Sequence, residues 1–392
     1  MSADLAARAA AVRAHVDARR DEMLALLQRL VEIESYSEDR AGVNAVGAVV
    51  AERLEALGLA VRRLPEMDYG DHLLAEADGP GAPRVLLVGH LDTVFPTGTG
   101  WGFRVDGPRA YGPGVVDMKG GLVAALYALA ALRATGPLPV AVRVLFNSDE
   151  EPGSPRSRHL LPDLARGVDY ALDLELAEAD GRIVVERKGV GIFTLTVRGR
   201  AAHAGQEPEQ GVDANRELAY QVLAAADLAD WAAGTTVNAG RIEGGTVPYA
   251  VSDWAQARLD VRVRDAAEQA RLERALAALA RANRVAGTTI EVAGGFHRPP
   301  MVELPGARRL RAAVEAAAAA CGQRVRFGPS GAASDANNLV AAGVPTLDGM
   351  GGVGGRAHSH EEYLEIASLY DRAVLLATSL VALGAEPLDS SS

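Results

Sequence analysis

Residues 85–96 read VLLVGHLDTVFP, four apolar residues running to Gly89, followed by His90 and Asp92 two positions apart. An uninterrupted apolar run of this length, flanked by glycine and charge, suits a strand buried on both faces, the kind found in parallel sheets covered by helices. Two further stretches, VAVRVLFNS and VDYALDLEL, have the same texture, while GGLVAALYALAALRATG and residues 1–37 have helical length and composition. Alternating strands and helices of this kind predict an α/β sheet with helices on both faces, whose functional groups gather at the carboxyl ends of the strands.

From about Gly191 the texture changes. GIFTLTVRG alternates, a helix follows in NRELAYQVLAAADLADW, then TTVNAGRI, WAQARLDVRV, a long Ala/Arg/Glu helix and TTIEVAG, which is βαββαβ order. After HRPPMVELPG the first texture returns. The expected organisation is one domain, residues 1–190 and 301–392, interrupted by an α+β domain at residues 191–300. Beyond the tail DSSS there is neither a tandem repeat nor a low-complexity tract.

Composition narrows the function. The chain has 392 residues, 48% hydrophobic and 23% charged, with a formal net charge of -11. That is enough length for two domains with a large core. The acidic balance without a Lys/Arg run argues against a nucleic-acid groove. The N-terminal segment scatters charge among helically spaced apolar residues, as one amphipathic helix would, unlike a signal peptide or a membrane span. The single cysteine, Cys321, reads as a buried thiol at a helix end, and a cytoplasmic location fits.

The chemistry lies behind the strands. In an extended segment His90 and Asp92 point the same way, so His90 can face a metal while Asp92 accepts its other N–H, or the two can form a hydrogen-bonded pair at a strand end. YGPGVVDMKGG places Asp117 and Lys119 in a glycine-rich turn ahead of an apolar helix. NSDEEPGS ends a strand in Asp149, Glu150 and Glu151, adjacent carboxylates that repel one another unless cations neutralise them. YALDLELAEADG adds Asp173 and Glu175, and GMGGVGGRAHSHEEY puts His358 and His360 behind a glycine-rich loop. This mixed nitrogen and oxygen donor set suits zinc or a neighbouring divalent metal and offers no thiolate knot.

With GHLDTV, YGPGVVDMKGG, NSDEEPGS, AAHAG and AHSHEEY in this order, the sequence resembles the co-catalytic zinc exopeptidases and deacylases. That family includes bacterial glutamate carboxypeptidase, aminoacylase, acetylornithine deacetylase and succinyl-diaminopimelate desuccinylase. The phrases DYxLxxE and HAGxxPExGVxA bring it nearest the glutamate carboxypeptidase branch. The resemblance implies a zinc-exopeptidase-like catalytic domain, with a mixed sheet covered by helices, and an inserted domain serving as lid and dimerisation surface. It further implies two divalent ions per chain, zinc first and cobalt or manganese as alternatives. His90 and Glu175 would hold one ion, Glu151 and His358 the other, and Asp117 would bridge them. Asp92 would orient His90, Glu150 would be the general base, and His203 of AAHAG would stabilise the oxyanion, commonly across a homodimer. Arg298 and Ser334 would contact the substrate's terminal carboxylate.

Where many relatives read GGTxxNVVP this chain reads GGTVPYAVS, which puts Tyr249 at the substrate-binding asparagine's position. The peptide bond after Asp117 would be cis. The implied activity is hydrolysis of the amide bond of a C-terminal amino acid, glutamate among the candidates, from a small peptide or N-acyl amino acid. Biosynthetic deacylation of an N-acyl-ornithine or N-succinyl diamino acid is the alternative. The remaining histidines, His15, His72, His159, His297 and His360, read as surface or packing residues.

Overall fold

The computed structural model describes residues 3–79 and 83–385, so the tail DSSS lies outside the described residues. The chain divides into two compact units, one comprising Met1–Glu186, Glu303–Ser330 and Ser334–Ser392, the other Arg187–Val302 with Gly331–Ala333.

The first unit is built on a six-stranded mixed sheet. Arg84–His90 lies between Ala141–Asn147 and Tyr170–Asp173 and runs parallel to both, and Thr346–Leu347 extends the parallel set beyond Tyr170–Asp173. His72–Ala77 and Ala60–Leu64, which carry weaker sequence patterns, add antiparallel strands at the other edge. The apolar run of the central strand has a direct cause in the packing. Val85 and Leu87 belong to the large core, while Leu86 and Val88 belong to a second cluster with Leu145, Leu161, Ala171 and Leu339. Both faces are therefore covered, and no alternation survives.

The N-terminal segment forms two helices, Ala3–Asp17 and Arg20–Val31, where a single amphipathic helix was expected. Arg19 leaves helical geometry at φ -124° and ψ 18° between them. The segments Val115–Thr135 and Ile366–Ala385 are long and apolar enough to cross a membrane, but 94% and 72% of their most apolar windows are buried within the protein. Both are core helices. Cys321 caps the helix Ala307–Ala320, its thiol donating to Thr378 Oγ1 at 3.2 Å.

The second unit runs strand, helix, strand, strand, helix, strand. Its antiparallel sheet places Gly189–Arg198 between Trp254–Val263 and Thr289–Arg298, with Thr236–Gly244 at the outer edge beyond Trp254–Val263. Here burial alternates: Phe193, Leu195 and Val197 enter a core with Leu259, Val261, Leu218, Leu272 and Leu276, while their neighbours stay partly exposed. One covered face gives the period-two pattern seen in the sequence.

Candidate metal centre

The parallel strands of the first unit deliver their side chains at the same end. His90 closes Arg84–His90, Glu150 and Glu151 follow Ala141–Asn147, and Glu175 follows Tyr170–Asp173. Backbone hydrogen bonds hold these exits in register, Leu91 N–H donating to Asn147 O at 2.8 Å and Leu174 N–H to Val88 O at 2.9 Å. Asp117 comes from a distorted turn, Val115–Lys119, ahead of the buried helix Gly120–Thr135, and the Asp117–Met118 peptide is cis, as the resemblance implied. The helix can begin this close because Gly121 has no side chain, since a Cβ there would lie 2.1 Å from the Leu174 carbonyl oxygen. His358 sits at φ 64°, a left-handed conformation that is uncommon for a histidine.

Two groups of donors result, sharing Asp117: His90, Asp117 and Glu175, and Asp117, Glu151 and His358. His90 Nε2 stands 3.4 Å from Asp117 Oδ1 and 3.5 Å from Glu175 Oε1. His358 Nε2 stands 3.2 Å from both Asp117 Oδ2 and Glu151 Oε2. Zinc bonds of about 2.0–2.2 Å imply tetrahedral edges of roughly 3.3–3.6 Å between ligand atoms, so the spacing fits a cation within each group. The bonding state agrees, because His90 Nε2 and Glu151 Oε1 are buried and carry no hydrogen bond, an arrangement that is costly unless something else satisfies them.

Without cations the cluster must hold protons. Asp117 and Glu151 draw the His358 imidazole up to about 11. Burial, together with the Asp117 charge, pushes the Glu151 carboxyl up to about 7. Burial opposes charge on His90, yet Asp117, Asp92 and Glu175 hold its pKa well above the usual histidine range. Asp117 is buried too, but the two histidines keep its carboxyl well below the ordinary carboxylate range. Three carboxylates around two imidazoles form a site with surplus negative charge.

Asp92 organises this end of the sheet. The nearer partner of His90 Nδ1 is the Asp92 carbonyl oxygen at 3.0 Å, with the carboxylate Oδ1 at 3.4 Å. The carboxylate accepts from Glu150 N–H and Glu151 N–H, each at 3.2 Å, and from the Ser37 hydroxyl at 2.6 Å. It therefore fixes the two adjacent glutamates as well as the histidine. Sequence reasoning missed Ser37, which lies in ESYS with no chemical cue. Lys119 reads as part of a glycine-rich turn and is fully buried, its side-chain nitrogen donating to Ile33 O at 2.9 Å.

The other predicted residues belong to neither donor group. Ser334 is buried as the N-cap of Asp335–Ala341, its hydroxyl accepting from Ala336 N–H and donating to Asp348. In the second unit His203 and Tyr249 lie on neighbouring backbones, His203 bridging Ala250 and Ala204 N–H donating to Tyr249 O at 3.0 Å. Both side chains are exposed. His203 Nδ1 accepts from Gly205 N–H and Gln206 N–H, each at 3.1 Å, which leaves the ring proton on Nε2. Arg298 is buried at the end of Thr289–Arg298. Of the histidines read as structural, His72 is buried and takes the Ser148 N–H at 3.2 Å, whereas His360 is exposed beside Trp101, ring centroids 5.1 Å apart.

Comparison with known proteins agrees with this architecture. The profile of Peptidase family M20/M25/M40 matches residues 86–382. Carboxypeptidase G2 of Pseudomonas sp. (strain RS-16) is 30% identical over 370 residues, covering 92% of this chain and 88% of that protein. Succinyl-diaminopimelate desuccinylase of Gluconobacter oxydans is 34% identical over 135 residues, 33% of this chain and 34% of that enzyme. A tripeptidase from Staphylococcus aureus shares the fold at a TM-score of 0.82 with 21% identity, covering 94% of this chain and 99% of its own. Because the family match spans the very segments that bring His90, Asp117, Glu151, Glu175 and His358 together, the chain belongs to peptidase family M20/M25/M40, metallohydrolases of peptide and N-acyl amide bonds.

Proposed function

We propose that this protein is a dinuclear metallo-carboxypeptidase that releases a C-terminal amino acid, glutamate among the candidates, from a small peptide or N-acyl amino acid. The observation that carries the reading is the single carboxylate, Asp117, facing both histidines through different oxygens. His90 and Glu175 would complete one site, and Glu151 and His358 the other. Two divalent ions, zinc first and cobalt or manganese as alternatives, would supply a water of lowered pKa and polarise the scissile carbonyl.

The remaining steps fall to the chain's own groups. Glu150, held by its backbone to Asp92 yet outside both donor groups, takes the proton of the attacking water and passes it to the leaving nitrogen. Asp92 keeps His90 oriented. His203, with its proton on Nε2, donates to the developing oxyanion, and Tyr249 on the neighbouring backbone is the second polar contact from the insert. Arg298 binds the substrate's terminal carboxylate, a task suited to a guanidinium fork. Ser334 enters as the N-cap that fixes the start of the helix Asp335–Ala341.

The insert, residues 191–300, acts in this reading as lid and dimerisation domain of a cytoplasmic homodimer, residues 1–190 and 301–392 forming the catalytic domain. Support comes from apolar side chains left exposed on the insert, Leu223 at 65%, Ile242 at 58% and Trp231 at 81%. Ile242 lies on the edge strand Thr236–Gly244, and an open edge is a template for pairing.

The likeness to a desuccinylase keeps biosynthetic deacylation as a second reading. One experiment decides between them: metal analysis of the purified protein, followed by assay with Zn, Co and Mn against C-terminal dipeptides, N-acylglutamates, N-acetylornithine and N-succinyl-diaminopimelate. The first reading expects two ions per chain and preference for peptides or acylglutamates. Full activity with one ion or none defeats the dinuclear centre, and exclusive turnover of the diamino-acid conjugates transfers the protein to the deacylases.

A further inference from the structure

Glu362 lies in the same segment as His358, AHSHEEY, yet belongs to neither donor group. Its side chain is completely buried. One carboxylate oxygen, Oε1, accepts from Val116 N–H at 2.9 Å and from Asp117 N–H at 3.1 Å, and Oε2 accepts from Gly114 N–H at 3.3 Å. Three backbone donors of the turn that presents Asp117 therefore end on one side chain from the far end of the chain. The turn has no regular structure to satisfy these donors, since Asp117 and Met118 have non-helical φ/ψ. It is also confined on its other side: Gly114 has φ 72°, and a Cβ there would come within 2.6 Å of Thr93 Cγ2.

The anchorage of Glu362 is equally firm. Its own N–H donates to Ser359 O at 3.0 Å, and the next residue opens the strand Tyr363–Glu365, which pairs with Arg109–Tyr111. One short segment thus carries a histidine that faces Asp117 Oδ2 and a glutamate that grips the Asp117 backbone.

The geometry points to Glu362 as a positioning residue for both ions: by fixing the backbone at Gly114, Val116 and Asp117, it aims one Asp117 oxygen at each histidine. The inference rests on the proposed ligand set. Removing the carboxylate leaves three buried N–H groups without their acceptor and releases the turn. Groups that orient a ligand typically change metal affinity by about 10- to 100-fold when removed.

The test uses metal-free full-length protein titrated with Zn by calorimetry and with Co(II) by visible absorption, circular dichroism and thermal melting reporting the fold. Glu362→Ala should bind about 10- to 100-fold more weakly with a shifted cobalt spectrum. Glu362→Gln keeps an oxygen for Val116 and Asp117 but sets an amide N–H₂ against Gly114 N–H, so its loss should be smaller and in the same direction; it carries the test should Glu362→Ala fail to fold. Leu259→Ala, a cavity in the core of the insert, controls for lowered stability and should bind both ions normally. Wild-type affinity and spectrum in the Glu362 variants overturn this inference alone, as does an equal affinity loss in Leu259→Ala. Failure of the wild-type protein to bind divalent ions overturns the ligand assignment and this inference with it.

Discussion

In the first unit most of the polar groups that matter are buried and tied down, His358 being the exposed exception: Asp92 by the Ser37 hydroxyl and the backbone of Glu150 and Glu151, Asp117 by Glu362, His90 by the Asp92 carbonyl. In the second unit His203 and Tyr249 stand in solvent, and only the His203 ring is fixed, by two local N–H groups. The contrast follows from the two sheets. The parallel strands at the centre of the mixed sheet are buried on both faces and place these groups at their ends, where each needs a partner. An antiparallel sheet covered on one face leaves its loops and outer face hydrated. Rigid donors on one unit and exposed donors on the other suit a division between holding a cation and meeting a substrate.

The sharpest way to break this comparison is Glu150→Gln. If the first unit holds cations independently of the general base, turnover should fall by about 10²- to 10⁴-fold while metal content by elemental analysis stays at the wild-type level. Near-normal turnover removes Glu150 from the mechanism, and lost metal merges its role with that of Glu151.

His203→Ala should lower turnover by about 10²- to 10³-fold, the scale for one oxyanion donor, with metal content and melting temperature unchanged. Mixing it with Glu150→Gln subunits under exchange conditions sharpens the point. If His203 serves the partner's site, heterodimers contain one site with both residues intact and activity returns. Persistent inactivity confines His203 to its own chain.

Metal affinity should depend on pH through the first unit alone. His358 stays protonated up to about 11 in the metal-free protein, and a ligand imidazole must be neutral, so each ion bound there releases a proton. Affinity should therefore rise with pH, by about tenfold per pH unit for each proton released, over the range below that value. Calorimetry in buffers of different ionisation enthalpy measures the protons directly, and zero release contradicts the assignment of His358.

The smallest effect belongs to the insert. Asp213 caps the helix Ala214–Ala226 by accepting from Arg216 N–H at 3.1 Å. Asp213→Ala should cost about 0.5–2 kcal/mol in denaturant unfolding and leave metal affinity untouched; weaker metal binding would show that the units are energetically coupled.

The sequence by itself determined the parallel strands, because a run such as VLLVGH tolerates water on neither side, and it pointed to the donor types, because adjacent carboxylates behind buried strands repel one another unless cations or protons neutralise them. It also carried the strand and helix order of the insert, whose single covered face writes period two into GIFTLTVRG. Only the tertiary structure decided which atoms meet. It brought His358 to Asp117 across 241 positions of sequence and gave Asp92 the backbone of Glu150 and Glu151 to hold. It also divided the N-terminal segment into two helices, buried Lys119 against the Ile33 carbonyl, and made Ser37 and Glu362 parts of the centre's support. Hydrophobic pattern records the side of an element that is dry, a local property repeated along the chain. A hydrogen bond to a buried turn depends on one atom of one distant residue, and no periodicity announces it.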